Sequence, residues 1–168
     1  MTVKYVIWPV FFATIAALLQ SVLLYRIKIY GAVPDISLGV VVFSAYVNGT
    51  MNGQLTGFFS GLFYDFLSAS PMGLNIFIRT VIGAFFGGGR RTFYLDKAVL
   101  PMVLCASATA MKAGMLFVLH LFFSDTIPVY SLTGPVFWVE LLLNTITAPF
   151  LFGFLKKFRP LLMAPEED

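Results

Sequence analysis

Six apolar segments constrain this chain more than any other feature of its sequence. A helix needs roughly 20 mostly apolar residues to cross the hydrocarbon core of a bilayer, which is about 30 Å thick. The first, fifth and sixth segments are long enough alone, whereas the three between them need several residues from their connectors. We therefore expect about six transmembrane helices, with five spans and one re-entrant segment as the alternative. The segments are residues 5–24, 34–47, 53–67, 75–89, 98–123 and 136–155.

The low charge content supports the same class of protein. Only 11% of the residues are charged and 59% are hydrophobic, whereas about a quarter of the residues in a soluble domain are charged. A transmembrane barrel would need strands of alternating polarity, but residues 38–43 and 115–123 are apolar on every side. The sequence therefore predicts an all-α polytopic membrane protein. We expect residues 1–168 to form one integral membrane domain, a compact bundle within the lipid bilayer.

The distribution of Lys and Arg predicts how the bundle is oriented. These residues concentrate on the cytoplasmic side of membrane proteins, and six spans would place both termini on the same side. Only Arg26 and Lys28 would face the opposite side, where Asp35 or Asp125 would neutralise them. We expect both termini in the cytoplasm, and we expect the net charge of +3 to reflect topology and lipid contact rather than nucleic-acid binding. The side with the termini would hold Lys4, Arg90, Arg91, Lys97, Lys156, Lys157 and Arg159.

Small residues recur at four-residue spacing in the third and fourth segments. On a helix this spacing gives a ridge of small residues. Such ridges let helix backbones approach closely in lipid, so we expect the two helices to pack as antiparallel neighbours. We treat both rows as candidates for helix packing or partner binding. The rows are Gly57, Gly61 and Asp65 in the third segment, and Arg79, Gly83 and Gly87 in the fourth.

The turn between these two rows contains Pro71, Gly73 and Asn75, which break or cap helices. Asp65 and Arg79 would then both lie about one turn inside the same end of the hairpin. Charges in this zone are costly unless they are satisfied. Two hypotheses follow: Asp65 pairs with Arg79, or Asp65 accepts hydrogen bonds from backbone N–H groups at the start of the fourth helix.

Lys112 and Glu140 form a second polar couple, in the fifth and sixth segments. At a rise of 1.5 Å per residue, Lys112 would lie about 21 Å from the inner surface and Glu140 about 6 Å below the outer surface. In a core of about 30 Å these depths nearly coincide. We therefore expect an intramembrane pair, and a buried structural pair is favoured over a proton or ion pathway.

The sequence contains no motif for catalysis or cofactor binding. It has no phosphate-binding loop, no H-E-x-x-H motif and no G-x-S-x-G elbow. Its single cysteine, Cys105, lies in an apolar segment, and His120 has no second ligand at metal-binding spacing. We expect a protein that is not an enzyme and that has no metal site and no cofactor.

One run in the centre of the chain has the form of a family signature. It consists of Pro34-Asp35, an apolar helix, Asn48-Gly49, and then Gly57-x-x-x-Gly61-Leu62-x-x-Asp65-x-x-Ser68-x-x-Pro71-x-Gly73-Leu74-Asn75. Together with the chain length and helix count, this run resembles the rod shape-determining protein MreD family. The resemblance covers residues 34–91, about a third of the chain. One departure is the loop at residues 48–52, which lacks the basic residues that family members often carry there.

The resemblance implies a non-catalytic scaffold or regulatory subunit of the bacterial elongation (Rod) complex in the inner membrane. Such a subunit would bind the bitopic protein MreC. It would belong to the same complex as MreB filaments, the RodA glycosyltransferase and a class B penicillin-binding transpeptidase. In this complex it would support lateral peptidoglycan synthesis and cell shape.

A second hypothesis comes from a different functional class. A compact chain of six short helices is also similar to the substrate-capture components of energy-coupling-factor vitamin transporters, whose fold MreD-like proteins would share. A capture component needs a pocket with several converging polar groups. The outer-facing candidates for such a pocket are Asp65, Asn75, Arg79, His120 and Glu140.

Overall fold

The chain folds into helices joined by short connections. The structure, a computed structural model, describes residues 3–22, 28–68, 70–89, 98–127, 130–131 and 133–164. Within these residues there are seven helices, and the first six begin and end within about three residues of the predicted segments. They are α1 (Lys4–Val22), α2 (Ile36–Asn48), α3 (Thr50–Leu67), α4 (Leu74–Gly88), α5 (Val99–Phe122), α6 (Pro135–Lys156) and α7 (Arg159–Leu162).

Three of the described helices, α1, α5 and α6, are long and apolar enough to cross a membrane. The helices α2 and α4 are also apolar but have only 13 and 15 residues. Length and composition therefore make this a transmembrane protein with a helical core. The number of spans, six or five, stays a prediction. The basic residues Arg26, Arg90, Arg91 and Lys97, which entered the prediction of topology, lie outside the described residues.

Helix α2 occupies the centre of the bundle. It contacts α1, α3, α4, α5 and α6, and 11 of its 13 residues are buried. A helix that is apolar on all sides is typical of such an enclosed position. Because neighbouring helices surround α2, it does not need the length of a helix that meets lipid along its whole axis.

The predicted close approach of α3 and α4 is present. A Cβ atom placed on Gly57 would lie 2.6 Å from the carbonyl carbon of Arg79, and one on Gly83 would lie 2.6 Å from that of Gly53. Similar overlaps would arise at Gly61 against Ile76 and at Gly87 against Thr50. The two helices therefore touch backbone to backbone, and only glycine fits at these positions.

Helices α1 to α6 alternate in direction. Gln20, near the end of α1, binds the carbonyl of Pro34 just before α2 begins. At the opposite end of α2, Asn48 binds the backbone of Leu162 and Ala164. We call the end where α1 begins and where α2 and α6 finish the terminal end. We call the other end the cavity end, because an open cavity lies there.

Candidate functional site

Asp35 is the centre of a buried charge network near the cavity end. It caps α2 by accepting a hydrogen bond from the Leu38 N–H at 3.0 Å. Its Oδ1 lies 3.1 Å from Arg79 Nη2, and its Oδ2 lies 2.9 Å from Lys112 Nζ. One carboxylate therefore holds cations from α4 and α5 at the start of the central helix.

Glu140 completes the network from α6. Its Oε1 lies 2.6 Å from Lys112 Nζ, and its Oε2 accepts a hydrogen bond of 2.6 Å from the Tyr130 hydroxyl. Lys112 therefore pairs with Glu140 in the structure, and Asp35 shares the same lysine. Burial and the Glu140 carboxylate raise the pKa of the Tyr130 hydroxyl above its usual range. Tyr130 lies in the connector between α5 and α6, and its hydroxyl donates to Glu140.

Arg79 is almost completely buried, with 1% of its surface exposed. Besides Asp35, its guanidinium donates to the Ser37 hydroxyl at 2.9 Å. Its central carbon lies 4.3 Å from the centre of the Tyr64 ring of α3, a cation–π contact. The planar guanidinium thus has a carboxylate, a hydroxyl and an aromatic face as partners from two neighbouring elements.

Uncharged side chains hold the remaining polar groups of the site. Gln20 of α1 accepts a hydrogen bond from the Ser37 N–H and donates to the Pro34 carbonyl. Asn144 of α6 accepts from the Asp35 N–H at 2.7 Å and donates to the Thr109 hydroxyl of α5 at 2.9 Å. Helices α1 to α6 therefore all contribute a side chain to this site.

The network has two positive and two negative charges, so its formal charge is zero. All four carboxylate oxygens of Asp35 and Glu140 accept a hydrogen bond. Removing one partner of a buried ion pair typically costs about 3–5 kcal/mol, because an uncompensated charge stays behind. Such a network holds the helices in one arrangement and offers no free acid or base.

An open cavity of about 510 Å³ lies above the network at the cavity end. Lys112 is 13 residues from the start of α5, so it lies about 20 Å along a helix of about 35 Å. Part of the cavity wall is non-helical backbone, at Gly31, Ala32 and Val33. The polar side chains in the lining include Gln20, Asp35, Tyr64, Lys112 and Glu140.

Asp65 does not pair with Arg79, so the first hypothesis for this carboxylate is wrong. Asp65 instead accepts hydrogen bonds from the backbone N–H groups of Gly73 at 2.8 Å and Asn75 at 3.1 Å, and from the Asn75 side chain at 2.8 Å. Gly73 has a φ of +96°, a left-handed conformation that glycine adopts readily. Asp65 of α3 therefore caps α4, as the second hypothesis predicted, and the negative charge suits a helix N-terminus.

The polar residues proposed for a vitamin pocket do not converge. Asp65 and Asn75 bind each other, Arg79 binds Asp35, and His120 Nδ1 lies 2.7 Å from the Ile127 carbonyl oxygen. Of that set, Glu140 alone lines the cavity. Among the described residues, no group of three His, Cys, Asp or Glu side chains could hold a metal ion.

The role of Asp35 was not predicted from the sequence, where this residue or Asp125 was expected to neutralise Arg26 and Lys28. In the structure the Asp35 side chain is buried and binds Arg79 and Lys112. The sequence did contain a signal of a buried polar site, because Gln20 and Asn144 are polar residues within apolar segments. In the structure both side chains bind the backbone at the start of α2, next to Asp35.

Comparison with known proteins agrees with the resemblance noted in the sequence. The family model described as rod shape-determining protein MreD matches residues 1–158. The match extends well beyond the central run and covers all of α1 to α6. Searches of curated proteins and of solved structures returned no match. The chain belongs to the MreD family of rod shape-determining membrane proteins.

Proposed function

We propose that this protein is a non-catalytic scaffold of the bacterial elongation complex in the inner membrane. It binds the bitopic protein MreC and belongs to the same complex as MreB, RodA and a class B penicillin-binding transpeptidase. In this role it supports lateral peptidoglycan synthesis. Membership of the MreD family supports the wider role in rod shape.

The internal pairing of the buried charges is the observation that carries the scaffold proposal. Asp35, Arg79, Lys112 and Glu140 neutralise one another. A catalytic site or an ion path needs a group that can change its protonation state or its partner. A neutral, fully bonded network instead favours a rigid body that presents fixed surfaces.

We also propose six spans with both termini in the cytoplasm. The alternation of α1 to α6 supports an even number of crossings, and the basic residues near both termini support this orientation. In that orientation the cavity faces the outside. The cavity is a concave surface of about 510 Å³ lined by both polar and apolar side chains, so it is where we expect a partner to bind.

Extraction in a mild detergent tests this proposal. The tagged full chain should bring down an MreC-like bitopic protein and cell-wall synthases, identified by mass spectrometry. Recovery of a transporter ATPase pair with its coupling subunit, or of a bound vitamin, would instead support the capture hypothesis. An unrelated polytopic protein with the same tag controls for non-specific capture.

A further inference from the structure

Four cations gather at the terminal end of the bundle. Lys4 begins α1, while Lys156, Lys157 and Arg159 lie where α6 passes into α7. All four are exposed, and α7 packs against α1. The described acidic residues all lie towards the other end: Asp35, Asp65, Asp125 and Glu140. Among the described residues, the terminal end therefore has positive charge without acidic residues.

The structure holds these cations on a fixed surface rather than on a loose tail. The Asn48 side chain donates to the Leu162 carbonyl at 2.7 Å and accepts from the Ala164 N–H at 2.9 Å. Leu162 is 1% exposed, and the Phe158 ring lies 5.1 Å from the Phe12 ring of α1. The segment that carries Lys156, Lys157 and Arg159 is therefore anchored between its charges, at Phe158, and after them, at Leu162 and Ala164.

Exposed apolar side chains lie next to the cations. They include Ile7 and Phe11 in the first turns of α1, and Phe154 in the last turn of α6. Because α1 and α6 are candidate spans, we expect these side chains to face hydrocarbon and the neighbouring cations to lie at headgroup level. Basic residues at this level attract anionic lipids.

We propose that the terminal end binds the phosphate of an anionic phospholipid through Lys4, Lys156, Lys157 and Arg159. Arginine and lysine both bind phosphate oxygens, and the arginine fork can do so with two hydrogen bonds. The acyl chains of the lipid would lie along the exposed side chains of α1 and α6, which a free phosphate ion or a soluble acidic protein would leave uncovered. This site is separate from the charge network and from the cavity.

Native mass spectrometry tests the proposal on the purified full chain. The chain in detergent is mixed with equal amounts of phosphatidylglycerol and phosphatidylcholine. We expect it to retain phosphatidylglycerol at least about tenfold more than phosphatidylcholine, since each cation near a headgroup adds to the attraction for a lipid with a net negative charge. The variant Lys156→Gln/Lys157→Gln/Arg159→Gln should lose most of this preference, while Lys28→Gln at the cavity end should keep it. Equal retention of the two lipids by the unchanged chain, or an unchanged preference in the triple variant, would overturn the proposal.

Three further experiments distinguish a lipid site from other causes of the preference. Asn48→Ala keeps all four charges but releases the anchored segment, so the preference should fall with no change in net charge. An excess of inorganic phosphate should not displace the lipid, and displacement would indicate an ion site instead. The acidic residues Glu166, Glu167 and Asp168 lie outside the described residues. A chain that ends at Ala164 should therefore keep the preference, and its loss would contradict a site built from the four cations.

Discussion

At the scale of single residues, the side chain of Asp35 joins three helices of the bundle. It caps α2, and its two oxygens hold one cation from α4 and one from α5. Glu140 has a smaller part, because Lys112 would still have Asp35 as a partner if Glu140 were neutral. The two carboxylates should therefore differ in what their loss costs.

Asp35→Asn should lower the free energy of unfolding by at least about 3 kcal/mol, because Arg79 and Lys112 would lose their shared counter-charge. Unfolding in mild detergent, followed by tryptophan fluorescence, measures the change. Glu140→Gln should cost less, and Asp125→Asn, an exposed carboxylate, should change the free energy by no more than about 0.5 kcal/mol. Equal stability of the Asp35 and Asp125 variants would show that the network does not hold the helices.

At the scale of elements, the hairpin of α3 and α4 is stabilised by two features at different positions. Glycine rows let the backbones touch along the helices. The Asp65 carboxylate fixes the start of α4. Separate substitutions can remove the close backbone packing, which is steric, and the Asp65 cap, which is electrostatic.

Gly57→Ala should destabilise the protein by about 1–3 kcal/mol, because its Cβ would overlap the Arg79 backbone and force the helices apart. Gly114→Ala on α5 is the matched control, since a Cβ there has no atom within 4 Å. The control should leave stability unchanged or raise it slightly. Measured unfolding midpoints that fall equally for both variants would argue against the close packing of α3 and α4.

Asp65→Ala should cost about 0.5–2 kcal/mol, as the loss of a helix cap usually does. Hydrogen–deuterium exchange locates the effect. The amides of Gly73 and Asn75 should exchange faster, while the amides in the middle of α5 should stay protected. A uniform increase along the chain would mean that Asp65 supports the whole bundle rather than the start of α4.

The sequence predicted the helices and the pair of Lys112 and Glu140, because depth along two long antiparallel helices follows from residue count. The close packing of α3 and α4 was also predicted, because the four-residue spacing of the glycines is visible in the sequence. The pairing of Arg79 with Asp35 was not predicted, because Asp35 lies 44 residues away in the chain and begins a short, enclosed helix. The depth at which α2 starts depends on its packing against five other helices, which no local pattern encodes.

At the scale of the whole molecule, an open cavity at one end lies above a rigid, neutral core. Helices α1 to α6 meet at the network, so the walls of the cavity are fixed relative to one another. A partner that binds in the cavity would meet a preformed surface, which lowers the conformational cost of binding.

Val136→Trp should weaken co-purification of the bitopic partner by filling the cavity, since Val136 lines it and is 38% exposed. Ile146→Trp, on the same helix but outside the cavity lining, is 57% exposed and provides the control. Both variants should keep the unfolding midpoint of the unchanged chain. If the two variants retain the partner equally, the partner binds elsewhere.

The most direct test of the scaffold role is whether cells need the charges of Lys112 and Glu140 themselves, or only need these two positions to carry no net charge. The measurement is the length-to-width ratio of cells whose own copy of this gene is deleted and which express a variant of this chain. Lys112→Met leaves Glu140 without a cation, and Glu140→Gln leaves one excess positive charge in the network, so each should impair rod shape. The double variant keeps the pair of Asp35 and Arg79, so a structural network predicts that rod shape returns. Double-variant cells that stay round while the protein is folded and present in the membrane would contradict a structural role and indicate that these charges act directly.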